Sequence, residues 1–132
     1  TALTLWQNEC AESYCCFEHF MIESRRGAGW HQFSGLSSPI VQWFSAYYRP
    51  GTLTTGFDAF VRHTDWAPDN SALDATLDFT AAGRSTVLAV LQPGPKAVTA
   101  SVPCTVTTRH DGLLELTFAL DAPCTVTISI HS

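Results

Sequence analysis

"CTVTTRHDGLLELTF", residues 104–118, is the stretch that decides the fold. Threonines and Val106 lead up to Asp111-Gly112, and beyond that pair Leu114, Leu116 and Phe118 fall on one side while Glu115 and Thr117 fall on the other. A strand turns successive side chains to opposite faces, and Asp-Gly supplies the positive φ that a tight hairpin turn requires. The stretch predicts an antiparallel hairpin with one apolar face.

The same texture extends in both directions. Leu120 continues the apolar face, and in "CTVTISIH", residues 124–131, Cys124, Val126, Ile128 and Ile130 alternate with Thr125, Thr127, Ser129 and His131. Upstream, "SALDATLDF" (71–79) and "STVLAVLQPG" (85–94) are two further strands. Residues 52–132 therefore predict a small antiparallel β-sandwich. Cys104 and Cys124 both fall on inward faces near strand starts, where two core thiols come first and a disulfide second. The outward threonines lack an aromatic platform, so this region is assigned a packing role.

Residues 1–51 have a different period. Leu3, Trp6, Cys10, Tyr14, Phe17 and Met21 recur at steps of three and four, which predicts a helix over 3–22. No capping residue precedes Leu3, and the pattern is already running there, as expected for the tail of a longer chain. The stretch 23–36 has three glycines and no period, hence a loop. Ser38 as N-cap, Pro39 at the first helical position and an apolar row of Ile40, Trp43, Phe44 and Tyr47 predict a second helix that stops at Pro50-Gly51. The expected fold class is α+β, a helical segment over 1–51 followed by the sandwich over 52–132. Two helices make no core of their own, so their broad apolar faces are expected to lean on the sandwich, on remaining segments of a larger chain or on a partner subunit.

Composition narrows the partners. The net charge is -5, with Lys96 the single lysine and six scattered arginines, so no basic stripe is available for nucleic acid. The apolar runs fall far short of the ~20 residues of a membrane span. Hydrophobic residues make up 45% of the chain and charged residues 14%, a balance suited to packing against something larger. Five cysteines are an odd number, so at least one is unpaired within the chain, and the compartment stays open.

Chemistry concentrates before the second helix. Trp30, His31, Gln32 and Phe33 place two flat aromatic faces beside imidazole and amide groups, the combination by which clefts hold an oligosaccharide or glycoside. The bland alternative is a corner in which Trp30 and Phe33 close a helical layer. In "CAESYCCFEH" a helix would set Cys15 and His19 on one face, with Cys10 and Cys16 as further sulfurs, but the second short ligand pair of a structural zinc site is missing. No metal or cofactor is expected.

Glu18-His19-Phe20, followed after the glycine-bearing loop by Phe33-Ser34, resembles the last catalytic segment of (α/α)6-barrel glycoside hydrolases of the family 63 type. In that family Glu-Asn-Tyr-Asn, Thr-Gly, Gly and Phe-Ser-Trp precede the final barrel helix, and the fifteen positions from Glu18 to Phe33 match its spacing. His19 stands at the asparagine position, Ser24-Arg25 at Thr-Gly and Gly35 at the tryptophan, and the likeness covers residues 1 to about 48. The resemblance implies that residues 1–51 are the last helices of an (α/α)6 barrel and that Glu18 is the general base of inverting hydrolysis. That reaction needs a second carboxyl group roughly 6.5–9.5 Å away as general acid. Glu9, Glu12 and Glu23 are too close in sequence to face Glu18 across a sugar, and Asp58 is the best local second carboxylate. The acid is then expected in other barrel segments and the isolated chain to be inactive. A non-catalytic carbohydrate-binding or adaptor module, or a structural subunit docking on a larger partner, are the alternatives.

Overall fold

The hairpin closes on Asp111-Gly112 in a computed structural model that describes residues 2–13, 17–31 and 34–132. Gly112 has φ +88°, and a Cβ there would stand 2.6 Å from the carbonyl oxygen of Leu91, whose own amide donates to Gly112 O at 2.8 Å. Both the left-handed backbone and the close approach demand glycine.

In chain order the elements are α1 (Ala2–Ser13), β1 (Phe17–Phe20), β2 (Gly27–His31), α2 (Ser34–Tyr48), β3 (Thr52–Thr54), β4 (Ala59–Trp66) and β5 (Leu73–Phe79). They continue with β6 (Gly83–Val90), β7 (Ala97–Ala100), β8 (Cys104–His110), β9 (Leu113–Leu120) and β10 (Cys124–His131). The protein is thus α+β, with two helices and antiparallel sheets among the described residues. The chain divides into two compact units, Thr1–Ser45 and Ala46–Ser132, so that α2 begins in one and ends in the other.

The second unit holds two four-stranded antiparallel sheets, in the orders β4-β5-β10-β7 and β3-β6-β9-β8. Strand β9 runs between β8, with Cys104 opposite Phe118, and β6, with Val87 opposite Leu116. Leu114, Leu116, Phe118 and Leu120 are buried, as are Val126, Ile128 and Ile130 of β10 and Leu73, Ala75, Leu77 and Phe79 of β5. One cluster contains all of them, and across it the rings of Phe79 and Phe118 lie 5.3 Å apart, tilted by 51°. An aromatic pair at that separation joins the inner faces of the two sheets. Cys104 and Cys124 flank this contact, one in each sheet, as free thiols packed against the cluster, and burial pushes the Cys104 thiol up.

The first unit departs from the predicted helix and loop. Helix α1 ends at Ser13, and Phe17–Phe20, expected as helix, is a strand paired with Gly27–His31, expected as loop. The three-four spacing runs on through Phe17, but Phe17 and Phe20 are aromatic residues that strands favour, and here that preference outweighs the helical period. Helix α2 begins at Ser34, one turn before the predicted cap at Ser38, and carries Pro39 inside it. Only the carbonyl of Gly35, four residues back, lacks its helical donor at that proline. Ile40 is buried, whereas Trp43, Phe44 and Tyr47 of the predicted apolar row are 58%, 43% and 46% exposed. Among the described residues no helix is long and apolar enough to cross a membrane.

Candidate functional site

The β1–β2 hairpin brings the sequence-predicted residues onto one ladder. Phe17 pairs with His31 and His19 with Ala28, which leaves the single residue Glu18 opposite two, Gly29 and Trp30. This is a β-bulge, and Gly29 takes φ +82°, the left-handed conformation that the first position of a glycine bulge adopts. Glu18, Trp30 and His31 therefore share one irregular stretch of backbone, and three residues beyond His31 helix α2 begins. Gln32 and Phe33 lie outside the described residues, as do Cys15 and Cys16 of the sulfur cluster.

Sequence reasoning missed what secures this hairpin. Met21 and Arg26 close its turn, with Met21 N donating to Arg26 O at 3.0 Å and Arg25, at φ +58°, donating to Met21 O at 2.9 Å. The turn is then fastened to α1. Glu9, only 5% exposed, accepts from the Gly27 amide through Oε2 at 2.8 Å. Its two carboxylate oxygens also take Arg26, Oε2 from Nε at 3.1 Å and Oε1 from Nη2 at 3.2 Å. The remaining guanidinium nitrogen donates to Glu12 on the same helix. Glu12 and Glu9 together raise the Arg26 pKa, the hydrogen bond to Glu12 contributing most. A buried carboxylate held bidentately by arginine and by a backbone amide has its charge answered on both oxygens. The signal in sequence was slight: Glu9 and Glu12, three apart on one helical face, followed by an arginine pair at a glycine. Around this joint Thr4, Asn8, Glu12, Ile22 and Arg25 line a cavity of about 620 Å³.

Other polar groups assemble on the second unit. Ser129 Oγ donates to Asp74 Oδ1 at 2.5 Å, and His131 Nε2 lies 2.7 Å from Ser129 Oγ and 3.2 Å from Asp74 Oδ1. The residue types are those of a nucleophilic triad but the wiring is not. One ring nitrogen faces both partners, whereas a triad sets the hydroxyl on one nitrogen and the carboxylate on the other. The cluster lowers the Asp74 carboxyl below its ordinary value, first through Ser129 and then through His131. Asp58, the expected local second carboxylate, sits in the turn before β4, where its backbone oxygen accepts from the Thr80 amide at 2.8 Å. His19 in a strand removes the helical spacing behind the proposed sulfur-histidine ligand set. No group of three or more His, Cys, Asp and Glu side chains able to hold a metal occurs among the described residues.

Comparison with family models, with curated proteins and with solved structures returned no match to this chain.

Proposed function

We propose that the chain is the C-terminal portion of a glycoside hydrolase, contributing one wall of a sugar-binding cleft and a general base, Glu18, for inverting hydrolysis of a glycosidic bond. On this reading the helices are the last of an (α/α)6 barrel and the two four-stranded sheets are its appended β-sandwich. Trp30 and Phe33 cover the apolar face of a pyranose ring, and His31 and Gln32 bond its hydroxyls. The observation that carries the reading is the bulge. It sets Glu18 opposite Gly29 and Trp30, at the kind of ladder irregularity that re-aims side chains beside active sites. In the reaction Glu18 takes a proton from water as that water attacks the anomeric carbon, while an acid on the opposite face protonates the leaving oxygen. The acid belongs to segments outside these residues, so the 132-residue chain by itself is expected to hydrolyse nothing.

The exposed row of Trp43, Phe44 and Tyr47 on α2 supports a second reading, a structural or adaptor subunit whose helix docks on a larger partner. Glu18→Gln in the active protein that carries this segment separates the two. Loss of the base should lower kcat by about 10²–10⁴-fold and leave KM for the glycoside nearly unchanged. Unchanged turnover would remove Glu18 from the mechanism and leave docking as the role of this region.

A further inference from the structure

We propose that Glu9 is a positioning residue for the β1–β2 hairpin, holding Glu18 and Trp30 in register for catalysis through Arg26 and Gly27. The inference rests on the glycosidase reading above. Among the described residues, Glu9 and Ser85 are the two buried polar or charged side chains, and Glu9 is the charged one. A carboxylate removed from water is tolerated where every oxygen is answered, and both oxygens of Glu9 are answered from the hairpin, by Arg26 and by the Gly27 amide. Gly27 is the first residue of β2 and pairs with Phe20, the last of β1. The grip therefore lies at the closed end of a ladder whose irregular end, two residues along, is the bulge opposite Glu18.

Strands of four and five residues with two glycines in β2 set their register weakly. A slip of one residue would send every side chain of the hairpin to the other face, Glu18 included. Glu9 and Glu12 of helix α1 both reach the hairpin at Arg26, and Glu9 alone of the two also takes a backbone amide of the ladder, that of Gly27.

The test uses the active protein carrying this segment and compares Glu9→Gln, Glu9→Asp, Glu18→Gln and, as a control at the exposed hairpin turn, Glu23→Gln. The amide oxygen of Gln can still accept from Gly27 but cannot pair with Arg26. Displacing a base by about 1 Å costs on the order of 10²-fold in rate, so Glu9→Gln should lower kcat by about 10–100-fold with KM nearly unchanged. The acid limb of the kcat/KM profile should move, because the surroundings of Glu18 change, and the amides of Gly27 and Ala28 should exchange faster. Loss of folded protein only scales such a profile without moving it. Glu9→Asp, which keeps the charge, should recover part of the rate, and it stands in if Glu9→Gln does not fold. Glu23→Gln should resemble the parent. Glu9→Gln with an unmoved acid limb, while Glu18→Gln is dead, overturns the positioning role and leaves the glycosidase reading intact. Full activity in Glu18→Gln overturns both.

Discussion

Two hairpins of this protein, β1–β2 and β8–β9, are built by opposite means. In β8–β9 seven- and eight-residue strands lie on a sheet whose Leu114, Leu116 and Phe118 reach a shared core, and the tight turn is completed by a glycine whose φ and close approach strain any other residue. In β1–β2 four- and five-residue strands meet across a bulge, and a buried carboxylate on a neighbouring helix fixes them. The first arrangement follows from apolar area, which is non-directional and forgiving of detail. The second follows from a few directional bonds. Both ladders carry a register shift, between Phe17 and His19 in the first hairpin and between Thr108 and His110 in the second, so what separates them is the apolar cluster behind one and the Glu9 grip behind the other.

The largest effect that sharpens the contrast is expected in the core. Leu116 is fully buried between Val87 on β6 and Val106 on β8, so Leu116→Ala leaves a cavity and should cost the second unit about 2–5 kcal/mol in denaturant unfolding. A loss below about 1 kcal/mol would mean that the sheets are not held by this cluster.

That contrast also explains what the sequence disclosed. The strands at 71–79, 85–94, 104–118 and 124–131 were legible because burial on one face writes a period of two into them. Strand β4 was not: its register shifts between Val61 and His63, which breaks the alternation, and β7 has only four residues. The β1–β2 hairpin was misread because its aromatic residues also fit a helical period and its glycines conceal β2. Glu18, Trp30 and His31 were singled out by residue type and by the family resemblance, but with Glu18 on a helix and Trp30 in a loop rather than on facing strands. Glu9 and Arg26 were not, since a bond between residues seventeen apart has no period to reveal it.

The next effect concerns the turn. Gly112→Ala forces a Cβ into the carbonyl of Leu91 and an alanine into φ +88°, which should cost about 1–3 kcal/mol. Thermal unfolding would show it as a lower midpoint. An unshifted midpoint would mean that the β8–β9 turn yields as readily as the glycine-rich β2 strand, and the contrast between the two hairpins would lose its sharpest structural point.

The smallest effect lies on the outward faces of the second unit, where directional bonds decorate a fold that apolar burial already specifies. Asp78 accepts from Thr125 at 2.7 Å and from Arg62, Asp74 accepts from Ser129 and lies against His131, and Glu115 takes Arg109 bidentately at 2.7 and 2.8 Å. Thr125, Ser129 and Arg109 respectively are the chief causes that hold these carboxyls below their ordinary values. A carboxyl depressed in the folded state stabilises the protein above its unfolded pKa of about 4, and that stability is lost as pH falls through the folded value. The unfolding midpoint should therefore decline between about pH 5 and pH 3, and Asp78→Asn should flatten the decline. Solvent weakens such pairs, so the slope should be shallow beside the effect of Leu116→Ala. A midpoint that fell as steeply in Asp78→Asn as in the parent would place the acid sensitivity elsewhere.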